Sequence, residues 1–221
     1  MKIFSSLFLL AISSAFVITS CSHQSDKPFY NEIQAFKTAD KQQAPPKNAI
    51  VFVGSSSFAM WTDVQDYFPG YKIINRGFGG SGINDAIEYE DDIIAPYHPK
   101  QVVIYSGEND IADNVTANDV MQRFTTLFNM IRRDVPHANI VYISIKPSPS
   151  RQKFMPVMAK ANAMIKKFLA AQPNTTFVDV YSKMLDASGN PRAELFREDM
   201  LHMKPEGYEI WKEQLTPVLM K

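Results

Sequence analysis

The chain has a single cysteine and no excess of charge of either sign. Its 221 residues contain 23 Lys and Arg residues and 23 Asp and Glu residues, so the formal net charge is zero. Proteins that bind nucleic acid normally carry a basic excess, and one cysteine can supply neither a disulfide framework nor a cysteine-based zinc site. The absence of a basic excess argues against a nucleic-acid partner, and the single cysteine argues against a fold held together by disulfides or zinc.

Apolar residues, in contrast, are plentiful. They make up 45% of the chain, while charged residues make up 21% and aromatic residues 12%. A chain of this length and composition can bury a core, forms one or two domains and is not expected to be disordered.

The one cysteine, Cys21, ends a segment that is typical of protein export. Lys2 precedes an uncharged run of apolar or small residues from Ile3 to Thr19. This run is short for a membrane span of about 20 residues and contains several serines, which favours a secretory signal peptide. The ending Ile18-Thr19-Ser20-Cys21 resembles the bacterial lipobox, whose cysteine is acylated. We therefore predict a lipoprotein signal peptide over 1–20, a lipid on Cys21 and attachment to the bacterial cell envelope; the alternative is an ordinary signal peptide with a chance cysteine.

Residues 21–47 are mostly polar and include two glutamines and two prolines close together. This composition predicts a tether, with one short helix around Asn31 to Phe36. No internal repeat and no second change of composition follows, so we predict one domain over 48–221.

Within that domain, apolar runs alternate with amphipathic segments. Five runs are candidate strands: Ala49–Val53, Tyr71–Asn75, Gln101–Ser106, Asn139–Ile145 and Thr176–Val180. Helical spacing of apolar residues follows Thr116, recurs from Met158 to Phe168, and recurs again after Pro205. Such alternation predicts a parallel sheet with helices on both faces, whose functional site lies beyond the carboxyl ends of the strands.

Three short segments therefore follow strands at the same edge. The first strand leads into Gly54-Ser55-Ser56-Ser57, the second into a glycine-rich turn from Asn75 to Ser81, and the third into Gly107-Glu108-Asn109-Asp110. A hydroxyl cluster, a glycine-rich turn and a side-chain amide can supply the nucleophile and the oxyanion donors of an acyl-transfer site. Each segment taken singly is also common as an ordinary turn or helix cap.

A serine nucleophile needs a base, and the chain has four histidines. His23 lies in the predicted tether, and His98 and His137 each precede a strand at the opposite edge of the sheet. His202 remains, and Asp199 stands three residues before it, where its carboxylate could fold back onto the ring.

These segments resemble, in order and spacing, the four sequence blocks of the SGNH (GDSL-type) hydrolases. The blocks are Val51–Ser56, Asn75–Ser81, Gly107–Asp110 and Asp199–His202, and the resemblance covers residue 48 to the C-terminus. It implies a three-layer α/β/α sandwich with a five-stranded parallel sheet of order 2-1-3-4-5, the flavodoxin-like arrangement.

The resemblance also implies a role for each matching residue. Ser56 matches the nucleophile, and Asp199 and His202 match the acid and the base. The N–H groups of Ser56 and Gly80 and the amide of Asn109 match the oxyanion donors, and no metal or organic cofactor is implied. Ser55 replaces the family's usual Asp, so three serines stand in a row and Ser55 or Ser57 remains an alternative nucleophile.

The predicted function is hydrolysis of carboxylic esters through an acyl-enzyme, with a small ester or an acylated glycan or lipid as substrate. Acyl transfer by the same residues is one alternative, and a non-catalytic envelope lipoprotein that binds a glycan or lipid is another. Lys146 and Arg151, in a proline-rich segment after the fourth strand, are candidates for contacting an anionic substrate, and the alternative is an ordinary solvated loop. Trp61, Phe78 and Tyr105 are candidates for stacking on a sugar, although such residues are more often part of a core.

Overall fold

The computed structural model describes residues 27–221, and its centre is one sheet of parallel strands in the order β2-β1-β3-β4-β5. The strands are β1 (Ile50–Gly54), β2 (Ile73–Gly77), β3 (Gln101–Tyr105), β4 (Asn139–Ile143) and β5 (Thr175–Val178). The predicted fold and strand order are confirmed, and each predicted strand end lies within two residues of the observed one.

Helices connect and cover the strands. Those of the described residues are α1 (Tyr30–Gln42), α2 (Ser56–Ala59), α3 (Val64–Tyr67), α4 (Ile83–Glu88), α5 (Glu90–Ile93), α6 (Glu108–Ala112), α7 (Ala117–Asp134), α8 (Met155–Ala170) and α9 (Pro205–Leu215). The predicted cap of α7 is present, since the Asp119 N–H donates to Thr116 Oγ1 at 3.2 Å. Between residues 27 and 221, no helix has both the length and the apolar character needed to cross a membrane.

Two buried clusters lie on opposite faces of the sheet. Alternate residues of β3 enter them, with Val102 and Ile104 in one cluster and Val103 and Tyr105 in the other. Side chains of α1, α4, α5, α6, α7 and α8 contribute to the first cluster, and side chains of α2, α3 and α9 contribute to the second. Alternation along a parallel strand that is buried on both faces therefore gives the three layers.

The N-terminal segment differs from the predicted tether. Residues 30–42 form the longer helix α1, and Ile33 on this helix is completely buried in the first cluster. Asp40 accepts hydrogen bonds from Arg76 Nη2 at 2.5 Å and from the Tyr97 hydroxyl at 2.6 Å. The prediction of a tether is therefore wrong for α1, because this helix packs on the domain. The predicted signal peptide over 1–20, Cys21 and His23 lie outside the described residues.

Candidate active site

The three consecutive serines follow β1 in a tight turn that only glycine allows. Gly54 has φ +152°, and a Cβ at this position would lie 1.8 Å from the carbonyl oxygen of Tyr105 on β3. The chain then turns directly into α2, whose first residue is Ser56. Ser55 and Ser57 are buried at 2% exposure, whereas Ser56 is partly exposed. The turn thus presents one of the three serines at the carboxyl edge of the sheet.

Ser56, His202 and Asp199 form one hydrogen-bonded chain. Ser56 Oγ lies 3.1 Å from His202 Nε2, and His202 Nδ1 lies 2.6 Å from Asp199 Oδ2. An ionised carboxylate only accepts hydrogen bonds, so Nδ1 carries the proton and the Nε2 of a neutral ring is left to accept from Ser56. The contact between Ser56 and the base predicted from the sequence is therefore present in the fold.

The carboxylate of Asp199 is held by the loop that carries it. The N–H groups of Leu201 and His202 each donate to Asp199 Oδ1 at 2.9 Å. The hydrogen bond from the His202 side chain, followed by that from its backbone N–H, holds the pKa of Asp199 well below its usual range. The carboxylate consequently stays ionised at neutral pH and can orient the imidazole ring.

Long-range hydrogen bonds fix the helix that begins at Ser56. Asn75 on β2 donates from Nδ2 to the carbonyl of Phe58 at 2.8 Å and to that of Trp61 at 3.2 Å. The Tyr208 hydroxyl of α9 donates to the carbonyl of Ser57 at 2.9 Å. The short α2 is thus fixed from a neighbouring strand and from the last helix, which sets the position of Ser56.

Gly80 and Asn109 lie at the carboxyl edge of the sheet, as Ser56 does. Gly80 has φ +84°, a left-handed conformation that side chains disfavour, in the turn after β2. Among the hydrogen bonds of residues 27–221, the N–H groups of Ser56 and Gly80 donate to no acceptor. Asn109, in the first turn of α6, donates from Nδ2 to the carbonyl of Ser81 at 2.9 Å, which joins the turn after β2 to the turn after β3.

Next to Asn109 lies a buried network of charged side chains. Lys146 Nζ contacts both carboxylate oxygens of Glu108 at 2.8 and 2.7 Å, and the Tyr105 hydroxyl donates to Glu108 Oε2 at 2.5 Å. Arg151 contacts Glu108 at 3.5 Å and donates from Nη2 to Asn109 Oδ1 at 2.9 Å. Burial lowers the pKa of Lys146, whereas the pKa of Tyr105 is raised by burial and by the charge of Glu108.

This network corrects the predicted substrate contacts. Lys146 is only 1% exposed, so it cannot contact an anionic substrate as expected, and Arg151 is engaged with Asn109 and Glu108. Trp61, Phe78 and Tyr105 are fully buried, so the interpretation of these aromatic residues as part of the core is confirmed, and none of them can stack on a sugar. The partners Glu108 and Lys146 lie 38 positions apart in the sequence, and no local pattern connects them.

A protein-family model matches most of the chain. The model of the GDSL-like lipase/acylhydrolase family matches residues 44–210. A search of curated protein sequences finds no match.

Solved structures share the fold. A Streptococcus pneumonia protein with the provisional description of a platelet activating factor is 22% identical, with a TM-score of 0.75 over 86% of this chain and 92% of its own. A GDSL-like lipase from Bacteroides thetaiotaomicron is 20% identical, with a TM-score of 0.70 over 84% and 95%. A catalytic mutant of an acetylxylan esterase from Geobacillus stearothermophilus is 14% identical, with a TM-score of 0.64 over 81% and 97%. At these identities the structures show the fold alone.

Proposed function

The chain belongs to the GDSL-like lipase/acylhydrolase family, whose members hydrolyse esters, and we propose that it cleaves carboxylic esters through an acyl-enzyme on Ser56. The observation that carries this proposal is the chain of contacts from Ser56 Oγ through His202 to Asp199, with distances of 3.1 and 2.6 Å. Neither Ser55 nor Ser57 is proposed as the nucleophile, because both are buried and only Ser56 contacts the histidine.

In the first half-reaction, Ser56 Oγ attacks the ester carbonyl while His202 Nε2 takes the hydroxyl proton. Asp199 holds the ring and stabilises the imidazolium that forms. The tetrahedral intermediate collapses as the bond from its carbonyl carbon to the alcohol oxygen breaks, and His202 returns the proton to the departing alcohol. The acyl group is then an ester of Ser56.

In the second half-reaction, water attacks the acyl-enzyme and His202 takes a proton from it. Collapse of the second intermediate returns the proton to Ser56 Oγ and releases the carboxylic acid. In both steps the oxyanion accepts hydrogen bonds from the N–H groups of Ser56 and Gly80 and from the Asn109 amide. Donors placed in advance of the reaction favour the transition state because its negative charge is larger than that of the substrate carbonyl.

We propose short acyl groups, acetyl in particular, on a glycan or lipid as the natural substrate. The support is the fold shared with an acetylxylan esterase, together with the lipase/acylhydrolase family. A panel of p-nitrophenyl esters from acetate to palmitate, acetylated xylo-oligosaccharides and lysophospholipids tests it. The highest kcat/KM is expected for acetyl esters, and a steady rise with chain length would contradict this choice.

The mechanism is tested with p-nitrophenyl acetate, two single variants, their double variant and a control variant. Ser56→Ala and His202→Ala should each abolish most turnover, and the double variant should be no slower than the slower single variant, because each residue alone disables one unit. Ser55→Ala is the matched control, since it removes a neighbouring hydroxyl that does not contact the histidine. Full activity of Ser56→Ala would overturn the proposal.

A further inference from the structure

We propose that Arg151 is a positioning residue that fixes the orientation of the Asn109 amide in the oxyanion site. This inference rests on the proposed function. It concerns a residue that contacts Asn109 and lies 42 positions from it in the sequence.

A primary amide has one acceptor oxygen and two N–H donors. In Asn109, Oδ1 accepts from Arg151 Nη2 at 2.9 Å, and Nδ2 donates to the carbonyl of Ser81 at 2.9 Å. These two contacts use the oxygen and one N–H. The second N–H is the donor that remains for the oxyanion.

The same two contacts exclude the flipped amide. A rotation by 180° would bring Oδ1 against the carbonyl oxygen of Ser81, so that two acceptors would meet. It would also bring the NH₂ group against the guanidinium of Arg151, so that two donors would meet. Without Arg151, one of these two penalties disappears and the amide is held by Ser81 alone.

Arg151 is itself held in place by charge. Its side chain is only 17% exposed, and its guanidinium lies 3.5 Å from Glu108 Oε1, while both oxygens of Glu108 also contact the buried Lys146. Two cationic groups therefore contact one carboxylate. The hydrogen bond that the Arg151 guanidinium donates to Asn109 Oδ1 polarises the Asn109 amide. A polarised amide is a stronger N–H donor to a developing oxyanion.

The segment that carries Arg151 also contacts the other half of the site. Ser150 donates from its N–H and its hydroxyl to the carbonyl of Met200, at 3.1 and 2.9 Å, in the loop between Asp199 and His202. The position of Arg151 is thus defined relative to both the amide and the base.

The test is a double-mutant cycle with p-nitrophenyl acetate. Asn109→Ala should lower kcat by roughly 10²- to 10³-fold with little change in KM, the usual cost of one oxyanion donor. Arg151→Met should lower kcat by roughly 10- to 100-fold with little change in KM. The double variant should be no slower than Asn109→Ala, because Arg151 acts through the amide that Asn109→Ala removes.

Two further variants make the cycle decisive. Arg151→Lys keeps the charge but not the planar donor group, and its kcat should fall between those of the wild type and Arg151→Met. Arg192→Met is the matched control, because Arg192 is half-exposed and pairs with the exposed Glu194, and its kcat should be unchanged. Arg151→Lys also keeps the test available if Arg151→Met fails to fold, as judged by circular dichroism.

Multiplicative losses in the double variant, or a loss confined to KM, would overturn the positioning role. Ser56→Ala in the same assay separates this outcome from failure of the proposed function. An inactive Ser56→Ala with an unchanged kcat in both Arg151 variants would overturn the inference alone. An active Ser56→Ala would overturn both.

Discussion

Replacing Glu90 with glutamine should stabilise the protein at pH 8 and leave its stability unchanged at pH 4. Glu90, in the first turn of α5, is completely buried, and neither of its carboxylate oxygens has a hydrogen-bond partner among residues 27–221. Burial, and then the nearby charge of Asp134, raises the pKa of Glu90 from 4.5 to about 7. The folded chain therefore binds this proton more tightly than the unfolded chain does.

The sign and the size of the effect follow from this difference. Between pH 4.5 and about 7 the folded state holds a proton that the unfolded state has released, so stability falls as the pH rises through this interval. At about 1.4 kcal/mol per pH unit, the loss above pH 7 is about 3 kcal/mol. Glutamine keeps the shape of a protonated glutamate and does not ionise, so Glu90→Gln avoids this loss.

The assay is urea unfolding of wild type and Glu90→Gln at pH 4, 5.5, 7 and 8. The difference in unfolding free energy should grow from near zero at pH 4 to about 3 kcal/mol in favour of the variant at pH 8. Glu213→Gln, at an exposed position of α9, is the matched control and should show no such growth. A difference that is the same at all four pH values would refute the reasoning.

Two further outcomes are expected. Asp199→Asn should lower kcat by up to about 10⁴-fold, because an amide can stabilise the wrong tautomer of His202. Steady-state kinetics with p-nitrophenyl acetate measure this loss, and a loss below tenfold would show that the carboxylate does not set the tautomer. We also propose that Cys21 carries a lipid anchor: in a Gram-negative host the wild type should fractionate with membranes and Cys21→Ser should not, since acyl chains contribute about 0.8 kcal/mol per buried CH₂. Membrane retention of processed Cys21→Ser would contradict the anchor.

The strands and their order could be predicted because their signal is local or carried by the resemblance. Continuous apolar runs mark strands that are buried on both faces, and the observed β1 to β5 begin and end within two residues of those runs. The glycines of the site could also be recognised, because they stand in short segments that directly follow predicted strands. In the structure, Gly54 and Gly80 lie at turns where the backbone takes a positive φ. The resemblance matched Ser56 to the nucleophile and left Ser55 and Ser57 as alternatives, and the fold brings Ser56 to the histidine.

The docking of α1 could not be predicted, because its contacts are distant in the sequence. The helix contains few apolar residues, and composition alone made the segment resemble a linker. What holds it is Ile33 in the core, Phe36 packed against the core, and the contacts of Asp40 with Arg76 and Tyr97, which lie 36 and 57 positions away. A polar segment can pack when a few long-range polar contacts and a few apolar side chains offset the cost of ordering it.

The buried network beside Asn109 could not be predicted either, because its contacts also join residues that are distant in the sequence. Charged residues are almost never fully buried unless they are paired, and the pairing of Glu108 with Lys146 depends on the adjacency of β3 and β4. From the sequence alone, Lys146 and Arg151 stand in a proline-rich loop that is typical of a solvated surface. In the fold, that loop contacts the Asn109 amide through Arg151 and the loop before His202 through Ser150. Changes in this loop should therefore alter kcat without any contact with the ester, because they displace the donor and the base relative to each other.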